Sequence, residues 1–367
     1  MKIFLLYNQF FSNDGNQRKI GGIETYMENL ARLFTHENYD VFICQLSSQC
    51  FIKDETFGKV YGFPVKNIHK LYSSIQHLVD KKNDIIIFMS DIHSIKLNDV
   101  RTISIQHGIY WDMPIYTGRF FSNKIKRLRI AINGFRNFNK CKNSVCVDYN
   151  FYNWYKTFNV KEKLNKNIWI IPNFSSKNLT SIRNDFSSNQ IKIIFARRFE
   201  QYRGSILFAS VMKEILEKYE NVLLTIAGEG PCENQMKNIL YGFQDRVNFI
   251  KYMPDESFKI HSSHDIAVVP TIGSEGTSLS LLEAMGAGCL VVATPVGGMS
   301  NILIDEFNGF VAMPNKESLF DTLEKAITIN ADEKRFVLTN SLNTVKKGFS
   351  LEKWQKSWLG VIQNLEK

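Results

Sequence analysis

HDIAVVPTIGSEGTSLSLLEAMGAGCLVVATPVGGMS, residues 264–300, is the stretch whose reading decides the fold. Residues 266–269 form an apolar run of strand length. Pro270 stops it, and a polar loop, 271–277, follows. A helix is expected from about Ser278, punctuated by Gly286 and Gly288. A second apolar run, 290–293, comes directly after. Strand, loop, helix, strand is the repeating unit of a parallel sheet. Ligands of such sheets sit beyond the carboxyl ends of strands, so chemistry is expected in 271–277.

The loop holds Glu275, Gly276, Thr277 and Ser278, and the helix holds Glu283. Gly276 allows a ligand to approach the backbone closely. The first helix amides lack internal partners and lie at the positive end of the helix dipole, which suits a phosphate. Glu283 is too far along to cap that end. Its carboxylate can accept two hydroxyl donors, as from a ribose diol. Glu275 lies in the loop, free to meet a second part of the same ligand. Taken singly, either glutamate also reads as a solvated surface carboxylate.

Together the E-x7-E spacing, the PTIGSEG before it and the LLEAMGAGCLVVAT after it resemble the donor-binding signature of retaining glycosyltransferases of the GT4 type. The resemblance implies an α/β protein of the GT-B fold, with two Rossmann-like parallel-sheet domains facing a central cleft. It implies that Glu283 holds the donor ribose and that Glu275 contacts the donor sugar near the reacting centre. Amides of Gly276, Thr277, Ser278 and Leu279 would meet sugar and phosphate. Thr277 and Ser278 stand where many relatives carry an aromatic residue or glycine.

A second segment, IKIIFARRFEQYRG at 191–204, runs from a buried strand into cations. Guanidinium groups just past a strand end can grip a diphosphate bidentately. The segment resembles the family's G-R-L…K-G loop. Arg197 matches its arginine and Arg203 its lysine. Ala196 replaces the first glycine and the spacing is one residue longer, so Arg198 could take the role of Arg197. The turn GEGP at 228–231 resembles G-x-G-P, in which Gly228 would let the nucleotide approach.

The first half of the chain repeats the pattern more faintly. An apolar strand at 3–7 leads through a polar loop to Gly21 and Gly22, then to a helix with apolar residues at Ile23, Tyr26, Met27, Leu30, Leu33 and Phe34. The G-x-G-x-x-G of dinucleotide sites is missing there. GGIE resembles the first loop of GT4 enzymes, which faces the interdomain cleft. Strands at 85–89 and 101–105 follow, the second ending in Gln106, His107 and Gly108. His107 resembles the family histidine near the donor sugar and leaving phosphate. The first domain is expected over 1–172, joined by a C-terminal helix at about 350–367. A polar linker is expected at 175–190, and a nucleotide-sugar-binding domain over 173–349.

At 367 residues, two domains are the expectation. A net charge of +9 points to an anionic partner. None of the six cysteines forms a C-x-x-C pair or a zinc-spaced cluster with histidine, and free thiols suit a reducing cytoplasm. No apolar run approaches the ~20 residues of a membrane span. The stretch 119–142 is rich in Lys and Arg, contains no acidic residue and interleaves apolar side chains. It reads as a helix on an anionic leaflet, as a solvated helix packed on its own domain, or as an RNA patch.

No D-x-D motif is present, which favours a metal-independent reaction with no cofactor. The functional expectation is hexosyl transfer from a UDP-, GDP- or dTDP-sugar to a hydroxyl acceptor in surface polysaccharide synthesis. The acceptor would be a glycan or a lipid-linked oligosaccharide. The protein would be cytoplasmic, at the inner face of the plasma membrane, with no nucleic-acid partner. A nucleotide-sugar epimerase or hydrolase, or a non-catalytic nucleotide-sugar-binding protein, are the rival readings.

Overall fold

The computed structural model describes residues 1–114, 120–158, 166–182, 189–273 and 275–366. Arg119 of the basic stretch, the side chains of Phe120 and Phe121, residues 183–188 of the expected linker and Ser274 of the loop lie outside the described residues. The chain divides into two units. The first comprises Met1–Trp111, Arg119–Pro172 and Gln355–Lys367; the second comprises Asp112–Gly118 and Asn173–Trp354.

The first unit is built on an eight-stranded sheet. Its strands are β1 (Lys2–Tyr7), β2 (Asp40–Leu46), β3 (Phe51–Glu55), β4 (Gly58–Phe63), β5 (Ile85–Phe88), β6 (Arg101–Gln106), β7 (Asn143–Cys146) and β8 (Asn167–Ile170). They lie in the order β3-β4-β2-β1-β5-β6-β7-β8. All neighbours pair in parallel except β3, which runs antiparallel to β4 at the edge. β5 is buried along its whole length, as expected for a strand covered on both faces. Helix Gly22–His36 follows β1 and buries Tyr26, Met27, Leu30, Leu33 and Phe34, the face its apolar spacing marks out.

The second unit holds six parallel strands: β9 (Ile191–Ala196), β10 (Val222–Ala227), β11 (Val247–Ile250), β12 (Ile266–Val269), β13 (Leu290–Ala293) and β14 (Phe310–Val311). Their order is β11-β10-β9-β12-β13-β14. Alternate residues feed two cores, one on each face. Ile193, Phe195, Ile266 and Val268 enter one; Ile194, Ala196, Ala267 and Val269 enter the other. That is the period of two expected of a strand covered on both sides. Helices Ser205–Lys218 and Lys316–Thr328 cover the first face, and Leu279–Gly286 covers the second.

The order of this sheet reverses between β9 and β12. The chain passes outward from β9 through β10 to β11, then returns to β12 on the other side. Such a reversal leaves a crevice at the carboxyl ends of the two adjacent strands, and it is there that open parallel sheets bind ligands.

One expectation needs correction. Among the described residues, the stretch read as a linker at 175–190 is laid against the second unit. The Leu179 amide donates to the Gly286 carbonyl at 2.8 Å, Ser175 bridges to Ser350, and the Lys346 ammonium donates to the Thr180 carbonyl at 2.7 Å. Polar composition suggested solvation, but these backbone groups are satisfied by the unit itself. The C-terminal helix Leu351–Glu366 carries Trp354 against Phe174 in the second unit, with ring centres 4.5 Å apart. Further along it buries Trp358, Val361 and Ile362 in the first unit. None of the described helices is long and apolar enough to cross a membrane.

Candidate active site

Arg197 is the first residue beyond β9, and its guanidinium turns inward with only 8% of the residue exposed. Nη1 donates to the Thr271 hydroxyl at 2.6 Å, and Nη2 donates to Glu275 Oε2 at 2.6 Å. Arg203 closes the short turn Gln201–Arg203 and donates from Nη1 to the same Glu275 oxygen. The Thr271 hydroxyl donates to that oxygen too, at 3.0 Å. One carboxylate oxygen thus accepts from two guanidinium groups and a hydroxyl. The strands that supply them, β9 and β12, are neighbours on either side of the order reversal.

Burial alone would raise the Glu275 carboxyl. The Arg203 and Arg197 charges outweigh it and hold the group at about 2. All three side chains are therefore ionised at neutral pH, and the cluster carries one net positive charge. An anion delivered to this edge meets two fixed guanidiniums, which act strongly in a site shielded from water.

The loop is held rigidly from behind. The Gly298 amide donates to the Glu275 carbonyl at 3.1 Å. A Cβ on Gly297 would overlap that carbonyl, and one on Gly298 would overlap the Gly276 backbone. This close approach explains the glycine pair after β13. Asn173 Nδ2 donates to the Thr277 carbonyl at 2.5 Å. Ser278 caps helix Leu279–Gly286, its hydroxyl accepting from the Leu281 amide at 3.4 Å. The earlier amides at the helix entry remain without intrahelical partners, at the positive end of the dipole.

Glu283 sits in the second turn of that helix and accepts from the Ser257 hydroxyl at 2.8 Å. Burial raises its carboxyl to about 7, and the Ser257 hydrogen bond opposes the shift. Gly228 follows β10 with φ +141°, and a Cβ there would strike the Arg197 carbonyl. The close contact it permits is to the backbone that aims Arg197.

Three comparisons bear on this arrangement. Residues 177–340 match the family model described as Glycosyl transferases group 1. An uncharacterized glycosyltransferase of Methanocaldococcus jannaschii is 27% identical over 47% of this chain and 44% of its own length. The chain thus spans less than half of that relative. A second uncharacterized glycosyltransferase of the same organism is 24% identical over 94% of this chain and 95% of its own. Among solved structures, a Staphylococcus aureus TarM mutant in complex with fondaparinux, alpha-GlcNAc-glycerol and UDP superposes with a TM-score of 0.71. That match is 13% identical and covers 98% of this chain and 99% of the other.

Over residues 177–340 the chain is similar to the group 1 glycosyl transferases.

The fold is GT-B. Within the second unit the structure brings together Arg197, Arg203 and Glu275. Gly276, Thr277, Ser278 and Leu279 continue the same loop into its helix. Arg198 is the alternative the sequence left open. Its side chain is exposed, and among the described residues it does not enter the network, so Arg197 occupies the inward position. Gly21, Gly22 and His107 belong to the first unit. Gly21 precedes helix Gly22–His36, and His107 directly follows β6. His107 Nε2 donates to the Met89 carbonyl at 2.9 Å. Burial lowers this imidazole to about 4, with the Met89 hydrogen bond opposing. The ring is neutral at pH 7, and Nδ1 is its accepting nitrogen. Tyr26 meets it edge-on at 5.2 Å and accepts from Trp358 Nε1 at 2.8 Å.

The sequence reading missed three members of this site in the second unit. Thr271 links Arg197 to Glu275, Ser257 holds Glu283, and Asn173 fixes the Thr277 carbonyl. Only Thr271 carried a local signal, its place two residues past the end of β12.

Glu283 gives a pH-dependent expectation. Only the ionised carboxylate accepts well from two hydroxyls. Binding of a free nucleoside diphosphate should therefore strengthen as pH rises from 6 to 8, the range that spans its raised pKa. Glu283→Gln should weaken binding and flatten the profile. Ser257→Ala should move the midpoint upward, because it removes the hydrogen bond that favours the ionised form. Calorimetric titration across this range checks it; an unchanged profile in Glu283→Gln would remove Glu283 from the site.

Proposed function

We propose that this chain is a retaining GT4-type transferase. It moves a hexosyl group from a UDP-, GDP- or dTDP-sugar to a hydroxyl of an acceptor glycan. The observation that carries the reading is the convergence of Arg197, Arg203 and Glu275 in the loop that enters, at Ser278, the helix carrying Glu283. In this reading Glu283 takes the ribose diol, the two guanidiniums and the helix amides take the diphosphate, and Glu275 orients the sugar.

The bond from the anomeric carbon to the diphosphate oxygen breaks, and negative charge grows on the diphosphate. Fixed positive groups aimed there lower the barrier without reorganising. The acceptor oxygen bonds to the anomeric carbon on the face the diphosphate leaves, and its proton passes to the departing diphosphate oxygen. No enzyme base is needed. Positive charge comes from Arg197, Arg203 and the helix end, so we propose a reaction independent of divalent metal, with the nucleotide-sugar as substrate and no cofactor. The acceptor belongs to bacterial surface polysaccharide (O-antigen, capsule or cell-wall glycan) or to its lipid-linked precursor, met at the cytoplasmic face of the plasma membrane.

The test begins with thermal shifts in UDP-, GDP- and dTDP-sugars, with and without a chelator. The stabilising donor is then incubated with candidate acceptors, and products are read by mass and anomeric NMR. A new glycoside with the donor's anomeric configuration, formed equally in chelator, is the expected result. Free sugar alone, or an epimerised nucleotide-sugar, would overturn the transferase assignment.

A further inference from the structure

The helix Phe120–Phe138 of the first unit has two apolar sides. One is spent internally: Ile130, Ala131 and Phe135 pack on a cluster containing Trp111, Phe138 and Phe151. The other faces outward. Ile125, Leu128 and Ile132 recur at spacings of three and four, which places them on one helix face. They are 41%, 56% and 40% exposed.

Phe135 borders both sides of the helix: it also touches Phe158 on the neighbouring helix Tyr149–Phe158, with ring centres 5.5 Å apart. Phe158 stacks in turn on Trp154 at 6.0 Å. Phe158 is 59% exposed and Trp154 44%. An aliphatic row and an aromatic pair thus form one apolar ridge across two helices. Lys126, Arg127, Arg129 and Arg136 lie on the helix that carries the row. Among the described residues, no carboxylate pairs with any of these four. Residues 123–142 contain no Asp or Glu at all.

We infer that this two-helix ridge is a docking surface for an anionic phospholipid bilayer. Trp154 and Phe158 enter the headgroup boundary beside Ile125, Leu128 and Ile132, while the flanking cations meet lipid phosphates. Soluble proteins rarely leave a continuous apolar patch uncovered. An apolar stripe rimmed by Lys and Arg, with aromatic rings at its border, matches the layering of a membrane interface. A nucleic acid would use the cations and leave the aliphatic row without a role. A second copy of this chain would bring two unpaired cation rows face to face. A bilayer satisfies both halves of the surface. The case rests on the first unit alone and does not require the donor assignment.

Flotation of the full chain with vesicles tests it. Binding is expected to mixed phosphatidylglycerol and phosphatidylcholine vesicles, to be weak on phosphatidylcholine alone, and to fall as salt is raised. Leu128→Ser combined with Trp154→Ser should reduce binding at least tenfold. Arg129→Glu combined with Arg136→Glu, the two cations beside the row at about 100° per residue, should do the same, since each cation near an anionic surface is worth roughly fivefold in partitioning. Both variants should keep the wild-type unfolding midpoint and the wild-type thermal shift with nucleoside diphosphate, which separates this result from the fate of the donor site. Equal binding to neutral and charged vesicles would overturn the proposal, as would no vesicle binding. So would a dimer that Leu128→Ser dissociates, or oligonucleotide binding without vesicle binding.

Discussion

Glu275→Gln is expected to abolish sugar transfer, to destabilise the protein, and to increase the response to free nucleoside diphosphate. The three effects have one origin. The Glu275 carboxylate pairs with Arg197 and Arg203 at once and offsets one of their two charges. It therefore stands in for part of the anion that a diphosphate would bring. Removing its charge leaves two nearly buried guanidiniums facing each other. Breaking a buried pair from one side costs about 3–5 kcal/mol, and each kcal/mol moves the midpoint of a domain of this size by roughly 2–4 °C. A fall on the order of 10 °C is expected. A nucleoside diphosphate returns the missing charge, so it should raise the variant's midpoint by more than it raises the wild type's. Transfer should drop by at least about 100-fold, the scale of losing one well-placed electrostatic contact. Scanning fluorimetry with UDP and GDP reads the first two effects and product release the third. An equal or smaller thermal shift in the variant would show that Glu275 is no stand-in for the diphosphate. The same coupling sets an acid limit. Glu275 is held below its ordinary value of 4.5, at about 2. Its stabilising contribution is complete above 4.5 and is lost as pH falls through about 2.

Arg197→Ala and Arg203→Ala should each lower the rate of transfer by about 10²–10³, while Arg198→Ala stays near wild type. The first two remove a fixed positive group from the place where leaving-group charge develops, at about 3–4 kcal/mol each. The third removes an exposed side chain. Lysine should rescue the two inward positions unequally. Arg197 uses two nitrogens, one on Thr271 and one on Glu275, and an ammonium cannot reproduce that fork. Arg203 reaches Glu275 through one nitrogen. Arg203→Lys should thus retain more activity than Arg197→Lys. Rates of nucleoside diphosphate release, measured on folded variants, decide. Arg198→Ala proving as damaging as Arg197→Ala would reverse the assignment of the two arginines.

Much of the second unit was legible because its signals are local. The apolar runs at 266–269 and 290–293 become β12 and β13 with those bounds, and Ser278 caps the helix between them. Pro270, Gly286 and Gly288 mark the ends because they restrict or free the backbone wherever they occur. The first unit was less legible. The antiparallel β3 and β4 carry only weak alternation of buried and exposed residues. The helix Tyr149–Phe158 gave no sign that Trp154 would face solvent beside the basic helix.

The sequence by itself determined the succession of strands and helices in the second unit, the glycine punctuation, and the E-x7-E carboxylates, all set within a few residues of one another. Only the tertiary structure decided which arginine turns inward. Arg197 and Arg198 are adjacent and chemically identical, and β9 ends so that the first enters the crevice beside β12 while the second meets water. The same holds for the partners. Arg197 and Glu275 are 78 residues apart, Ser257 and Glu283 are 26 apart, and Asn173 and Thr277 are 104 apart. No local pattern encodes such pairs, because they exist only where the order of strands brings distant carboxyl ends side by side.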